Sequence, residues 1–255
     1  MVEVMEAGPP VVFVHGTGGG LDSWAGVGSR LTGHQITQYA RRNHAPSGTG
    51  SSPNSFAVEA ADLHALLGHL TDVNGERVHV IGGSYGASVA LHAAAIDTER
   101  IASLALFEPP LLLAGEHLLP VLDQFRRLCA AEEFGGALEL FAREVARIPS
   151  AVLEASPPTA DDPATSRIAA TAVRADLESM ATDTNDTDRW ASIGVPVLLM
   201  QGGQSWPPLP EGMDRLAAIL PHARRVSWPD QSHFAIATAP SRVAEAIQDF
   251  IDTAA

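Results

Sequence analysis

Arg77-Val78-His79-Val80-Ile81-Gly82-Gly83-Ser84-Tyr85-Gly86-Ala87-Ser88-Val89-Ala90-Leu91 is the most informative run of the chain. Arg77–Ile81 is short, β-branched and apolar, which predicts a strand. From Ala87 the residues are small and apolar, which predicts a helix. Between them stands the pattern G-x-S-x-G, from Gly82 to Gly86. In a strand–turn–helix setting it forces the serine onto a sharp, strained turn with its hydroxyl exposed above a sheet. The glycines are required because such a turn leaves no room for side chains beside the helix and the neighbouring strand. The five-residue pattern alone recurs in Gly/Ser-rich loops, so its setting carries the reading.

Working outward, apolar β-rich runs alternate with helical patterns. That alternation predicts an α/β protein with a doubly wound, mostly parallel sheet of about seven or eight strands. The strands are expected at Val2–Met5, Val11–His15, Gln35–Ala40, Arg77–Ile81, Ala102–Phe107, Pro196–Met200 and Ala223–Trp228. Helices are expected at Ser55–Leu70, Ser84–Asp97, Glu211–Leu220 and Pro240–Thr253, the last opening on a proline suited to a first helical turn. The alternation breaks between about Pro109 and Asp188. There Leu118, Leu122, Phe125 and Cys129 recur at helical spacing, as do Leu138, Phe141 and Val145, and Ile168, Ala172, Val173 and Leu177. Pro157–Pro163 reads as a polar loop among them. The expected organisation is therefore a core made of residues 1–110 and 189–255, with residues 111–188 as a helical cap.

The chain has 255 residues and 45% hydrophobic composition, enough to bury a large core. No apolar run reaches the ~18–20 residues that a membrane helix needs. The N-terminus is acidic and lacks the basic region of a secretory signal. A lone cysteine, Cys129, excludes an internal disulfide framework, so a cytoplasmic location is expected. The net charge of −14 argues against a nucleic-acid partner. All 16 basic residues are arginine, which removes Schiff-base and lysine-base mechanisms. No H-E-x-x-H, Cys/His cluster or dense acidic loop suggests a metal. The expected partner is a small-molecule substrate, with neither nucleic acid nor membrane and with a homodimer left open.

A serine nucleophile needs two N–H donors aimed at the developing oxyanion. One is expected from Tyr85, the residue after Ser84. The other is expected from the glycine-rich loop Gly16-Thr17-Gly18-Gly19-Gly20 after the strand Val11–His15, with Thr17 preferred to Gly18. A dinucleotide fingerprint in that loop fails, because the third glycine position is Leu21 and no acid ends the next strand. Gly16, Gly18 and Trp24 are expected as substrate contacts around this loop, although core packing is the commoner fate of a tryptophan such as Trp24. His233, in Gln231-Ser232-His233-Phe234, follows the last strand, where a loop can return it to Ser84 as the base. The chain order suits Ser…acid…His.

These pieces, with Tyr39-Ala40-Arg41-Arg42-Asn43-His44 and Pro196-Val197-Leu198-Leu199-Met200, span nearly the whole chain in order. Together they resemble the α/β-hydrolase fold, in particular its capped esterase, lactonase and epoxide-hydrolase-like group. Against the eight strands usual there, the N-terminus is short by about one. The resemblance implies a catalytic triad and no cofactor. It also implies an aspartate shortly after the penultimate strand, but Gly202-Gly203-Gln204-Ser205-Trp206 places Ser205 there. A subset of such proteins takes the acid from the end of the strand after the nucleophile helix, which here is Glu108, before Pro109-Pro110. Asp230, Asp186 and Asp188 are weaker alternatives. Dehalogenases and epoxide hydrolases of this fold need an aspartate nucleophile, which Ser84 disfavours. The expected activity is hydrolysis of an ester, lactone or thioester of a largely apolar small molecule through acyl-Ser84. The alternatives are a cofactor-independent lyase, cyclase or oxygenase, or a ligand-binding protein with weak turnover.

Overall fold

The computed structural model describes residues 2–5, 8–50, 53–155, 162–220 and 223–254. Seven strands form one sheet: β1 (Val2–Met5), β2 (Pro10–Val14), β3 (Gln35–Tyr39), β4 (Val78–Gly83), β5 (Ile101–Phe107), β6 (Val197–Gly202) and β7 (Ala223–Trp228). Their order is β1-β3-β2-β4-β5-β6-β7. β1 runs antiparallel to β3, and every other pairing is parallel. β2, β4 and β6 are buried along their whole length, as strands covered on both faces must be. The strand order reverses between β2 and β4, so the crevice at their carboxyl ends is the natural place for a site.

Alternating side chains divide the core between the two faces. Val12, Val14 and Val80 pack with α2 (Phe56–Asn74) and α3 (Tyr85–Ile96) on one face. On the other, Val11, Phe13 and Ile81 pack with the short α1 (Ala25–Gly28) and the C-terminal helix Pro240–Ala254. α2 starts where the Ser55 hydroxyl accepts from the Val58 N–H at 3.2 Å. It ends at Gly75, whose φ of 73° supplies the left-handed stop. It therefore outruns the expected end at Leu70. The expected strands and helices all form, with ends displaced by a few residues.

Between β5 and β6 the described residues are mainly helical. Two 3₁₀ turns lead into α4 (Leu119–Ala130) and α5 (Phe134–Leu140), which continues as a π-turn over Phe141–Val145. α6 (Ser150–Ala155) and α7 (Pro163–Thr182) follow. Most of the loop expected at Pro157–Pro163 lies outside the described residues; Asp162 and Pro163 form the N-cap and first residue of α7. α8 (Leu209–Ile219) covers β6 and β7, and α9 (Ala235–Thr238) precedes α10, the C-terminal helix.

A tight constraint lies where α3 crosses the sheet. A Cβ on Gly86 would stand 2.2 Å from the Val14 carbonyl oxygen, and one on Gly82 would stand 2.6 Å from Ala87 Cα. Both obstacles are backbone, so nothing can swing aside. Gly86→Ala is expected to cost about 3 kcal/mol or more in urea unfolding, the upper end of overpacking. Gly48→Ala, which meets nothing within 4 Å, should change stability by about 0.5 kcal/mol or less.

Candidate active site

Ser84 joins β4 to α3 with φ 52° and ψ −123°, a conformation that costs a side-chain-bearing residue energy and persists only where its surroundings impose it. Its N–H donates to the Phe107 carbonyl at 2.7 Å, tying the turn to the end of β5. Tyr85 is the first residue of α3, so its N–H has no acceptor within the helix.

The ends of β5, β6 and β7 meet Ser84 along the same edge of the sheet. Close approach of two loops depends on Gly202, where a Cβ would stand 2.6 Å from the Ser232 backbone. Across that gap the Gln204 N–H donates to the Gln231 carbonyl at 2.8 Å. His233, on the loop after β7, has Nε2 3.0 Å from Ser84 Oγ and Nδ1 2.7 Å from Glu108 Oε2. Glu108 follows directly on β5 with φ 42° and is wholly buried. Its Oε1 accepts from the Gly202 N–H and its Oε2 from the Ser205 hydroxyl, each at 2.9 Å. A carboxylate is acceptor-only, and three donors here satisfy it. An acceptor at Nδ1 puts the imidazole proton there and leaves the Nε2 lone pair facing the Ser84 hydroxyl.

The other carboxylates stand elsewhere. Asp230 pairs with Arg242 at 2.7 Å, and Asp186 and Asp188 are exposed on a separate turn. Ser205 occupies the position where the resemblance implied an aspartate, and it serves Glu108 as a hydrogen-bond donor.

The loop after β2 closes the other side. Thr17 and Gly18 line a cavity of about 340 Å³ that also exposes Ser84 and His233. Gly18 has φ +70°. A Cβ on Gly16 would come within 3.1 Å of Ser84 Cβ, so this position packs against Ser84 and does not line the cavity. Trp24, expected as a substrate contact, does not reach the cavity either. Its ring is 5.0 Å from Phe13, its indole N–H donates to the Val14 carbonyl at 3.3 Å, and it belongs to the apolar layer under α10. Core packing is the commoner fate of such a tryptophan, and the fold puts Trp24 there.

The cavity wall is apolar. Leu138, Phe141, Val173 and Met180 come from the segment between β5 and β6, and Trp206 and Phe234 from the loops after β6 and β7. The Trp206 indole N–H donates to the Ala146 carbonyl at 2.9 Å, joining the sheet side to the helical segment. Thr17, Ser84 and His233 supply the polar side chains of this wall. Among the described residues no cluster of three or more His, Cys, Asp or Glu side chains could hold a metal ion. No described helix is long and apolar enough to cross a membrane.

Sequence reading missed Trp206 as a wall residue, and it missed Glu59 and Asp176, both buried beside the loop after β2. Asp176 carries a signal that was there to be read. It falls on the apolar face of α7, with Ala172, Val173 and Met180, where a charge must be paired.

The alpha/beta hydrolase fold family matches residues 9–240. An alpha/beta hydrolase from Sphaerobacter thermophilus superposes with a TM-score of 0.81 at 30% identity, covering 98% of this chain and 95% of that one. A thermophilic esterase from Thermogutta terrifontis shares the fold at a TM-score of 0.77 and 22% identity, over 100% of this chain and 93% of that one. Epoxide hydrolase A of Mycobacterium tuberculosis is 34% identical over 136 residues, which are 49% of this chain and 39% of that protein. The chain spans less than half the length of the curated relatives it matches. With the family matching nearly the whole length and Ser84 on the strand-to-helix turn between β4 and α3, the chain belongs to the alpha/beta hydrolase fold family.

Proposed function

We propose that this hydrolase cleaves an ester, lactone or thioester of a largely apolar small molecule through an acyl-Ser84 intermediate. The observation that carries this reading is the unbroken hydrogen-bonded run Ser84–His233–Glu108, opening into an apolar cavity. Ser84 Oγ attacks the acyl carbon while His233 Nε2 takes its proton, then returns that proton to the leaving oxygen or sulfur. Water, deprotonated by the same nitrogen, then attacks the acyl-serine carbon and frees the acid and Ser84. Glu108 holds the imidazole orientation and stabilises its positive form, the task of the third member of such a triad. The N–H groups of Thr17 and Tyr85 are assigned to the oxyanion, Gly18 to the cavity floor beside them. The chemistry calls for no cofactor.

Residues 111–188 act as a cap in this reading, because their apolar side chains roof Ser84. A cytoplasmic setting is compatible with the single Cys129. The name of the epoxide hydrolase relative suggests ring opening, but a serine at position 84 favours acyl transfer. The binding-protein alternative drew on the missing aspartate, and Glu108 at 2.7 Å from His233 supports hydrolysis over it.

Ser84→Ala is expected to lower ester hydrolysis by on the order of 10⁴-fold or more without loss of folding, and Glu108→Gln by about 10³–10⁴-fold. Steady-state rates and circular dichroism check both; near-parent rates in Ser84→Ala would sink the acyl-serine mechanism. The cavity should reward acyl length. Across p-nitrophenyl acetate, butyrate and hexanoate, kcat/KM should rise by about fourfold per methylene, from about 0.8 kcal/mol for each buried methylene. A flat or falling series would remove the apolar cavity from the substrate's path.

A further inference from the structure

Behind the loop after β2 lies a buried ionic cluster that the reaction itself does not use. Arg41, just beyond β3, is 1% exposed, and Glu59 of α2 and Asp176 of α7 are 2% and 0% exposed. Arg41 Nη1 donates to Glu59 Oε2 at 2.7 Å and to Asp176 Oδ1 at 3.0 Å, while Nη2 donates to Asp176 Oδ2 at 2.8 Å. Burial disfavours the Asp176 charge, but Arg41 and His44 outweigh it and hold the carboxyl well below the usual carboxylate range. His44 completes this side, its Nε2 3.2 Å from Arg41 Nη2.

The rest of the cluster grips the two expected oxyanion donors. Arg41 Nε donates to the His15 carbonyl at 2.9 Å and Nη2 to the Gly16 carbonyl at 3.3 Å. The Arg41 backbone N–H donates to His15 Nε2 at 3.0 Å. Burial, then Arg41 and His44, push the His15 pKa down to about 2, so its ring is neutral. With Nε2 accepting, Nδ1 carries the proton and donates to the Gly16 carbonyl at 2.9 Å. The Gly19 N–H reaches the same oxygen at 3.2 Å. Three donors thus fix the Gly16 carbonyl toward the cluster. In a planar trans peptide the N–H stands on the opposite edge from the carbonyl, so the Thr17 N–H is turned away from the cluster. On the second donor, the Tyr85 hydroxyl donates to Glu59 Oε1 at 2.7 Å, and the Arg41 guanidinium lies 4.3 Å over the Tyr85 ring. Asn54 holds that same Glu59 oxygen at 2.7 Å.

The geometry points to a positioning role: Arg41, Glu59 and Asp176 aim the Thr17 and Tyr85 N–H groups at the oxyanion and tie that aim to the roof helix α7. This inference rests on the acyl-serine reading of Ser84. Asp176 touches no reacting atom, so it acts on the oxyanion through Arg41 and the Gly16–Thr17 peptide. A merely structural role would lower the fraction of competent molecules; a positioning role lowers the rate of each competent molecule.

The test is the rate at which an alkyl fluorophosphonate phosphonylates Ser84, a reaction that also develops an anionic oxygen, together with the labelled fraction at completion by intact mass. Asp176→Asn should slow phosphonylation by about 10–100-fold with the final labelled fraction unchanged. Its kcat on p-nitrophenyl hexanoate should fall by a similar factor, with KM within about twofold of the parent. Tyr85→Phe keeps the backbone N–H and removes the hydroxyl with its bonds to Glu59 and Ser179; it should slow phosphonylation by about 3–10-fold. If Asp176→Asn does not fold, Tyr85→Phe decides alone. Parent-like rates in the folded variants, or a loss confined to KM or to the labelled fraction, overturn the positioning role while leaving Ser84 as nucleophile. A parent enzyme that never labels at Ser84 overturns the acyl-serine reading, and this inference with it.

Discussion

The turn at Ser84 is the constraint around which the site is arranged. A non-glycine residue at φ 52° costs of order 1–3 kcal/mol, and it is held because β4 and α3 are packed too closely to permit another path. Gly82 and Gly86 allow that packing, with α3 against the end of β2. The Phe107 carbonyl receives the Ser84 N–H and links the turn to β5. Because β2 and β4 to β7 are parallel, their carboxyl ends share one edge. Gly16 and Thr17 follow β2, Ser84 follows β4, Glu108 follows β5, Ser205 follows β6 and His233 follows β7. Residues far apart in the chain converge there because of the sheet's direction alone.

Two buried carboxylate systems flank this edge and differ in kind. Glu108 is a single acid satisfied by a backbone N–H, a hydroxyl and an imidazole, with no arginine to neutralise it. Glu59 and Asp176 instead share one arginine, Arg41. A buried ion pair is seldom better for stability than a well-packed apolar group of similar size. The Arg41 cluster is more naturally understood as fixing a geometry, here that of the peptide between Gly16 and Thr17.

Legibility in the sequence followed the range of the interactions. Ser84 was readable because its turn is encoded within five consecutive residues, and the strand–helix alternation around it was equally local. His233 was readable from its place after the last strand. Glu108 could be named only through the resemblance, once Ser205 was seen where an aspartate was implied; the bond between the two side chains explains why both positions matter. Trp24 was assigned to the pocket although its neighbours in the fold are Phe13 and the Val14 carbonyl. The Arg41 cluster was not assembled at all, because its partners lie 18 and 135 positions away and belong to different helices. The cavity wall was legible as apolar but not by residue, since its shape depends on how α5, its π-turn and α7 meet Trp206.

The central claim is that the acyl group passes through Ser84, and rapid-quench intact-protein mass spectrometry during turnover of p-nitrophenyl hexanoate tests it directly. The expected result is a burst of p-nitrophenol near one equivalent per active site, with the hexanoyl mass appearing transiently on the peptide that carries Ser84. Turnover with no acyl mass on that peptide when deacylation is slowed, or with the acyl mass on another residue, would contradict it.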